Sequence, residues 1–373
     1  MILDRISVTE NFERTKEIWE FLEASGNPSY FLSWGWVENW IASLPDAAKP
    51  ELRVCFDGEM PLMAFWVGKT HITRKHLIRS RGWFVNATGN PDLDRVWIEY
   101  NGFLCSPHAA FSLLDVLNAL QEDVWDELYL PGLDVRSFPG NVAGAEIAPF
   151  RMIPEHDSLS PFVDLDIIRR EEKDYLTFLA SNTRYQINRS YRLCEKTAPV
   201  QLEIAQDITG AMTIYRELVA LHEQVWSKRG TPGAFCTDYL YRFHERLIEK
   251  RFDHGEIQLL RVRCGDVTLG CLYNFVYRNH VYFYQSGLNY RLDKQVKPGF
   301  MVHVEAVRHN VAAGNNIYDF MGGDTSYKMR LATHHNRLIW VRVQKPLLRF
   351  KVEKNLKRIK GLILGFLNAS GVT

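Results

Sequence analysis

The sequence predicts an α/β protein made of two halves, each with its own sheet and flanking helices. The length of 373 residues is that of two ordinary domains. Three strand patterns separated by short turns predict an antiparallel sheet in the second half, at residues 256–263, 268–277 and 280–288. A helix beginning at Pro298 and a strand at 316–321 follow, and a right-handed crossover would lay this strand parallel to the one before it.

The first half shows a similar mixture of helices and strands. Residues 9–24 and the aromatic-rich stretch 30–44 predict helices, and the turn Asp57-Gly58 joins two strands into a hairpin at 52–56 and 60–70. Further strand patterns lie near Phe84, near Tyr100 and at 127–130, with a helix at 109–121. A loop rich in Pro, Gly and Ala covers 131–154. We therefore predict domains at residues 1–155 and 156–345.

The second half opens with helices on both sides of one strand. Residues 171–179 look helical, and residues 182–196 predict a basic helix that carries Arg184. A strand follows at 200–205, and Asp207 is placed to cap a long helix that ends near residue 228. Another helix is predicted at 238–250.

The composition excludes several classes of protein. With 45 basic and 44 acidic residues, the net charge of +1 gives no reason to expect nucleic-acid binding. The six cysteines form no CxxC pair and have no zinc-like spacing with histidine, so we expect free thiols in a reducing compartment and no metal. The early charged residues do not form a signal peptide, and no apolar run reaches the ~18 residues of a membrane span. A cytoplasmic protein is expected.

Residues 346–373 form a separate basic segment. Apolar residues recur at helical spacing at positions Leu348, Val352, Leu356, Ile359, Ile363 and Phe366. Lys and Arg residues surround this stripe, so the segment predicts an amphipathic helix. Such a helix either lies on an anionic membrane surface or packs on the body of the protein, and both interpretations stay open.

The start of the helix at Pro298-Gly299 is a candidate anion site. Free N–H groups and the helix dipole attract a phosphate there, Gly299 permits a close backbone approach, and Lys297 adds a positive charge. Pro and Gly also begin many helices that bind nothing. The spacing alone leaves both interpretations open.

Two residues are candidate general bases. His222 lies on the apolar stripe of its helix, where a neutral imidazole at a cleft can take a proton from an attacking amine or hydroxyl. Asp319 lies in a strand between Tyr318 and Phe320, where burial would make it a usable base. The simpler interpretation of His222 is a core histidine with internal partners, and that of Asp319 is a structural ion pair.

Four further residues are candidates for binding and charge stabilisation. Tyr327 and Lys328 follow a Gly-Gly turn and could assist the leaving group and the developing negative charge, although an exposed turn is the simpler interpretation. Gln285 projects from a strand just before the anion site and could bind a ligand or a neighbouring strand. Arg184 shares a helical face with Asn188 and Arg192, which suits phosphates or solvent equally.

Three segments resemble the GNAT acyltransferase fold, in the branch with two tandem GNAT-like domains. They are Leu221-His222 with Trp226 and Arg229-Gly230, then Tyr284-Gln285-Ser286-Gly287 with Pro298-Gly299, and Tyr318-Asp319-Phe320 with Gly322 and Tyr327-Lys328. More narrowly, the chain resembles acetyltransferases associated with bacterial cellulose biosynthesis, with Fem-type aminoacyltransferases as more distant relatives. The resemblance implies a mixed, mostly antiparallel sheet flanked by helices in each half.

The resemblance also implies a donor and a set of site residues. Acyl-CoA would be bound by Gln285, Lys297, Gly299 and Phe300, and the acceptor by Trp226, Arg229, Tyr284 and Arg184. His222, Asp319, Tyr327 and Lys328 would carry the chemistry, and no metal is required. The chain departs from the family in one respect, since the usual glycine-rich phosphate loop is not intact and only Gln295, Lys297 and Gly299 stand near that place.

The expected function is therefore an acyl-CoA-dependent N-acyltransferase of the cytoplasm, peripheral to the inner face of the membrane. Its acceptor would be an amine, either a membrane lipid such as a sphingoid base, as in ceramide synthases of similar type, or a polysaccharide precursor. One alternative is a Fem-type aminoacyl-tRNA-dependent ligase. Another is a non-catalytic module on the membrane, which the broken phosphate loop favours.

Overall fold

The computed structural model describes residues 1–74, 78–96, 98–109, 111–136, 147–230, 233–323 and 325–353. The strands of the first half are β1 (Asp4–Ser7), β2 (Glu51–Asp57), β3 (Met60–Arg74), β4 (Ile78–Val85), β5 (Leu104–Cys105) and β6 (Glu127–Asp134). Its helices are α1 (Phe12–Ser25), α2 (Trp34–Ser43) and α3 (Leu113–Ala119).

A linking region and the second half complete the chain. The link contains β7 (Arg151–Asp164), α4 (Leu165–Glu171) and α5 (Ser181–Glu195). The strands that follow are β8 (Val200–Ile204), β9 (Ile257–Cys264), β10 (Val267–Tyr277), β11 (His280–Leu288), β12 (Ile317–Asp319) and β13 (His334–Gln344). The helices are α6 (Ile208–Lys228), α7 (Asp238–Arg251), α8 (Pro298–Ala312) and α9 (Ser326–Leu331).

The two halves repeat one topology. Each runs strand, two helices, three antiparallel strands, a helix, and a last strand that is parallel to the third of the three. In the first half β6 lies parallel to β4, and in the second β12 lies parallel to β11. The predicted fold class is confirmed, including the crossover through α8, which places β12 beside β11 in the expected direction.

The halves are joined because each contributes a strand to the sheet of the other. β7 follows β6 in the chain but pairs with β12, whereas β13 follows β12 but pairs with β6. β7 and β13 then pair with each other along their full length, from His334 opposite Phe162 to Gln344 opposite Arg151. All strands of the described chain thus lie in one continuous sheet, and the predicted domain boundary at residue 155 falls inside β7. The domain bounds themselves stay a prediction.

An aromatic core crosses between the halves on one side of the sheet. Trp36 of α2 contacts Phe243 of α7 and Phe275 of β10, with ring centroids 5.2 and 5.6 Å apart. The sequence predicted one helix over residues 30–44, but Ser33 has an extended backbone and interrupts it. The Ser33 hydroxyl accepts the Trp36 N–H at 3.2 Å and begins α2 as its N-cap. The predicted aromatic helix is therefore an interface element.

The sequence analysis missed the short strand β1 and the two long strands β7 and β13. β7 contains Pro154 and Pro161, which indicate a loop or an edge when no partner is known. β13 includes Arg342, a charged residue that is buried and pairs with Glu127 at 2.9 Å. The predicted C-terminal helix is described only at its start, with residues 348–353 helical, and residues 354–373 lie outside the described residues.

Because His244 of α7 is buried, we predict that the protein loses a measurable part of its stability in acid. Burial lowers the pKa of His244 to about 3, below its ordinary value of 6.5, so the folded protein holds it neutral. The unfolded chain takes up a proton below pH 6.5, so this contribution to stability is present above that pH and is lost between pH 6.5 and 3. Between pH 7 and pH 5 the free energy of unfolding should fall less in His244→Phe than in the unmodified protein. The difference between the two decreases should be about 1–2 kcal/mol.

Urea titration at both pH values measures this difference. His303 has the same lowered pKa of about 3, so part of the acid sensitivity should remain in the variant. The exposed His254 is a matched position, and His254→Phe should lose as much stability in acid as the unmodified protein. An equal acid response of His244→Phe and the unmodified protein would contradict the prediction.

Candidate active site

β11 and β12 separate from each other and leave an opening in the sheet. They pair only from His280 opposite Ile317 to Tyr282 opposite Asp319. β12 then ends, whereas β11 continues to Leu288 while still paired with β10. A bulge in β11 at Tyr284 adds a residue between the pairs Asn274–Phe283 and Tyr273–Gln285 and bends the strand away.

The opening leads into a cavity of about 860 Å³. Its walls come from α6, from the end of β11, from the start of α8, from α9 and, in the first half, from Arg95 and Glu99. Most of the sequence-predicted site residues line it, namely His222, Trp226, Arg229, Tyr284, Gln285, Lys297, Gly299, Phe300, Tyr327 and Lys328. Asp319 and Arg184 do not line it.

The start of α8 presents an unused amide to the cavity. Pro298 has no N–H, and the Lys297 N–H donates to the Ser190 hydroxyl at 3.0 Å. In the described part of the chain no acceptor pairs with the N–H of Gly299, so it is available at the positive end of the helix dipole. This arrangement can hold a phosphate group.

The cavity wall carries far more positive than negative charge. Arg330 of α9 lies with its guanidinium 4.8 Å from the Phe300 ring, and its Nε donates to the Thr183 hydroxyl at 3.2 Å. The other cationic side chains on the wall are Arg95, Arg229, Lys297 and Lys328. Among the described lining residues Glu99 is the one carboxylate. A ligand with several phosphates suits this charge distribution.

His222 lines the cavity with both ring nitrogens engaged. Its Nδ1 lies 3.1 Å from the Ser286 carbonyl, and its Nε2 accepts the Ala234 N–H at 3.1 Å. These partners place the proton on Nδ1. Burial lowers the pKa of His222, so the ring is neutral near pH 7. An acceptor could give a proton to Nε2 only by displacing the Ala234 amide.

Close packing of α6 on β11 sets the position of His222. Gly287 follows Ser286 in β11, and a Cβ atom there would lie 2.2 Å from the Leu218 carbonyl oxygen. Only glycine permits this approach of a helix backbone to a strand. The motif Tyr284-Gln285-Ser286-Gly287 therefore has a packing role next to the cavity.

Asp319 lies behind the cavity wall and is fully buried. It accepts the Met321 N–H at 2.6 Å, the Ser160 hydroxyl at 3.0 Å and the Tyr100 hydroxyl, and His280 Nε2 lies 3.3 Å away. Every one of these partners belongs to the protein, and the carboxylate joins β7, β11 and the first half. This position favours a positioning role over the predicted role of Asp319 as a base.

Lys328 and Tyr327 of α9 face the cavity. The Lys328 ammonium donates to the carbonyls of Met321 at 3.1 Å and Gly322 at 2.6 Å. Burial lowers the pKa of Lys328, while Glu99 and Asp319 oppose that change. Burial raises the pKa of Tyr327, so its phenol keeps a proton that it can donate. The pair thus supplies a cation and a proton donor.

The predicted acceptor residues divide between the cavity and the surface. The Arg229 guanidinium lies 5.2 Å from the centre of the Trp226 ring, and both line the cavity. Tyr284 donates through its hydroxyl to the Val96 carbonyl at 2.8 Å, whereas Gln285 accepts the Ser286 N–H at 3.2 Å. Arg184 lies on α5 outside the cavity, and its neighbour Gln186 lines the cavity instead.

The sequence analysis missed two cavity residues that come from the first half. Arg95 and Glu99 precede the strand pattern that was noted near Tyr100. Glu99 is 4% exposed, and its Oε2 accepts the Gly322 N–H at 2.6 Å. Its partner is 223 residues away in the chain, so no local pattern could indicate the contact.

The corresponding opening in the first half is closed. β4 and β6 pair from Gly82 opposite Glu127 to Phe84 opposite Tyr129 and then separate. Asn101 fills the gap, because its N–H donates to the Gly132 carbonyl at 2.9 Å and its Nδ2 donates to the Val85 carbonyl at 3.0 Å. The first half therefore repeats the topology of the second with a sealed opening.

Two kinds of feature are absent from the described residues. No group of three or more His, Cys, Asp and Glu side chains is placed to hold a metal ion there. None of the described helices combines the length and the apolar character that crossing a bilayer requires.

Comparison with known proteins identifies the fold of the second half. Residues 181–329 match the model of the family described as "Acetyltransferase (GNAT) domain". No curated protein matches the chain. Residues 181–329 are therefore similar to a GNAT acetyltransferase domain, and they supply the described cavity residues except Arg95, Glu99 and Arg330.

Solved structures show the same fold over nearly the whole chain. FemX matches with a TM-score of 0.55 and 11% identity, over 90% of this chain and 96% of that chain. L-PGS from Bacillus licheniformis matches with a TM-score of 0.52 and 11% identity, over 90% and 94% of the two chains. A protein of unknown function from Bacteroides thetaiotaomicron matches with a TM-score of 0.51 and 10% identity, over 92% and 100%. At these identities the likeness is one of fold alone.

The contacts of Asp319 predict a large loss of stability when its charge is removed. Asp319→Asn replaces an oxygen acceptor with an N–H donor among partners that already donate, namely Tyr100, Ser160 and Met321. The free energy of unfolding should fall by about 2–4 kcal/mol in urea titration. Asp57→Asn, at an exposed carboxylate, should leave it unchanged. A loss below about 1 kcal/mol would show that the network does not hold the two halves together.

Proposed function

We propose that this protein is an acyl-CoA-dependent N-acyltransferase that transfers an acyl group to an amine acceptor. The observation that carries the proposal is the cavity between β11 and β12, with the start of α8 on its wall. Acyl donor and acceptor would meet in this opening, between Lys328 on one side and the bulge at Tyr284 on the other. The GNAT domain supports an acyltransferase, and the identities of donor and acceptor are the proposed part.

The donor would lie along the end of β11 with its phosphates at the start of α8. The Gly299 N–H and the Lys297 ammonium would bind the pyrophosphate, and Phe300 and Gln285 would flank it. Arg330 lies beside Phe300 and supplies a further cation. These groups would take the place of the glycine-rich loop that the sequence lacks.

The chemistry would be direct attack of a neutral amine on the thioester carbonyl. N–H groups of β11 near the bulge would stabilise the oxyanion, and the Lys328 ammonium would add positive charge nearby. Tyr327 would give its phenolic proton to the departing thiolate. Trp226, Arg229 and Tyr284 would surround the acceptor, with Arg184 outside the cavity in reach of a long substrate only.

The acceptor would be a membrane lipid amine, such as a sphingoid base, or an amine of a polysaccharide precursor. The basic segment at residues 346–373 favours a lipid acceptor, because each Lys or Arg near an anionic leaflet contributes about 1 kcal/mol to association. The protein would then act in the cytoplasm at the inner face of the membrane. The narrower likeness to the acetyltransferases of cellulose biosynthesis stays a prediction and would favour the polysaccharide.

A Fem-type reaction with an aminoacyl-tRNA donor is a second candidate. The excess of cations on the cavity wall supports it as well, since any donor with phosphates suits them. The fold that this chain shares with FemX permits either donor. The near-neutral net charge of the whole chain favours the smaller donor.

Calorimetry with acetyl-, octanoyl- and palmitoyl-CoA tests the donor. At least one should bind, and Lys297→Glu should weaken its binding about tenfold or more, because a negative charge would face the phosphates. Lys196→Glu makes the same change at the end of α5 outside the cavity and should leave affinity unchanged. Absence of binding by every acyl-CoA would remove the proposal. Binding of charged tRNA in its place would support the second candidate.

Vesicle flotation tests the membrane association. The full chain should float with vesicles that contain anionic lipid, and a chain that ends at residue 353 should float much less. Adding salt should weaken flotation of the full chain, since the attraction is electrostatic. Equal flotation of both chains would remove the role assigned to the C-terminal segment.

A further inference from the structure

The segment that carries Arg95 and Glu99 of the first half lines the cavity of the second half through these two residues. Asn101 seals the opening of its own half, while the two residues before it reach across the junction. Tyr100 donates to the buried Asp319, and Glu99 accepts the Gly322 N–H on the cavity wall. Three consecutive side chains thus fix the position of this segment relative to the cavity.

Glu99 can approach Gly322 closely because residue 322 has no side chain. A Cβ atom on Gly322 would lie 2.7 Å from Glu99 Oε1, so a side chain at this position would displace the carboxylate. The Met321-Gly322 segment is held from its other sides by Asp319, which accepts the Met321 N–H, and by Lys328, which donates to both carbonyls. The carboxylate is therefore rigidly placed beside the point where β11 and β12 separate.

Several charged or titratable groups face the same cavity. Arg95 comes from the segment itself, and the neighbouring elements contribute His222 and Arg229 from α6, Tyr284 from β11, and Tyr327 and Lys328 from α9. Most of these are cations or hydrogen-bond donors. An ammonium group that enters the cavity would find its favourable charge partner at Glu99.

The other two candidate bases, His222 and Asp319, also make internal contacts, and Asp319 does not line the cavity. Nε2 of His222 accepts the Ala234 N–H, and Asp319 is sealed behind the wall by three donors and His280. Glu99 is the carboxylate that lies on the cavity surface. Glu99 lines the same cavity as the end of β11 and Lys328, so an acceptor amine in this cavity would lie within reach of its carboxylate.

We propose that Glu99, supplied by the first half, binds the ammonium group of the acceptor and takes its proton. This inference rests on the proposed function. Glu99 would remove one proton from the ammonium, and the free amine would form a C–N bond with the thioester carbonyl carbon. The C–S bond would break with its electron pair on sulfur, and Tyr327 would give its phenolic proton to that sulfur to form the free thiol. The second nitrogen proton would then return to the Tyr327 oxygen. Glu99 would finally release its proton to water.

Glu99→Gln tests the proposal, because the amide oxygen can still accept the Gly322 N–H but the group cannot take a proton. Turnover would be measured with two probe pairs, palmitoyl-CoA with sphinganine in mixed micelles and acetyl-CoA with glucosamine. For the pair that the unmodified protein uses, kcat/KM for the amine should fall about 100-fold or more at pH 7. Calorimetric affinity for the acyl-CoA should stay within about twofold, as for a residue that contacts only the acceptor.

The pH profile separates a base from a structural contact. The variant would use only amine that is already deprotonated, so its kcat/KM should rise about tenfold per pH unit towards the pKa of the amine. The difference from the unmodified protein should therefore shrink as pH rises. A decrease of equal size at every pH would overturn the proposal in favour of a packing role, and full activity at pH 7 would also overturn it.

Two further variants complete the experiment. Gly322→Ala keeps the carboxylate but displaces it, so it should lower turnover while acyl-CoA still binds. Glu23 is a matched control, because it is a carboxylate that accepts the Trp34 N–H at 2.6 Å and lies away from the cavity. Glu23→Gln should leave the amine kinetics unchanged. If the unmodified protein binds acyl-CoA but acylates neither amine, the inference about Glu99 falls; if it binds no acyl-CoA, the proposed function falls with it.

Discussion

The pairing of β7 with β13 at the centre of the sheet is the constraint on which the rest of the structure depends. Each of these strands leaves its own half and completes the sheet of the other. Neither half could move as a rigid body without breaking a ladder that runs from His334 to Gln344. The opening between β11 and β12 is therefore held by both halves, although the residues that line it come mostly from one.

The repeated topology makes the difference between the two openings informative. In the first half Asn101 supplies the hydrogen bonds that a neighbouring strand would otherwise make, and the gap is filled. In the second half nothing described fills the corresponding gap, and polar side chains converge on it. Because the opening of the first half is filled and that of the second half is not, we infer that the first half now supports the site of the second. Glu99 and Tyr100 show how, since both reach the other half from the segment that closes their own.

The sequence predicted those helices and strands whose ends are marked by capping or turn residues next to them in the chain. Asp207 caps α6 and Pro298 begins α8 as predicted, and the turns between the three predicted strands of the second half lie between residues 264 and 267 and between residues 277 and 280. The same patterns brought most of the predicted site residues to one cavity, because they follow the ends of neighbouring elements. What the sequence could not predict depends on distant partners. β7 becomes a central strand only because β12 and β13 flank it, and Asp319 is sealed by Tyr100, which lies 219 residues earlier.

The glycine at position 287 has a consequence for the size of the cavity. With no side chain there, the backbone of α6 rests directly on that of β11, at Leu218. The width of the chamber between them is thus set by two main chains in contact, which do not adjust as side chains do. Even a single added methyl group would act as a wedge, tilting the helix that carries His222 and Trp226 and opening the chamber to water. The contact between Gly287 and Leu218 would then help to decide which acyl groups fit inside.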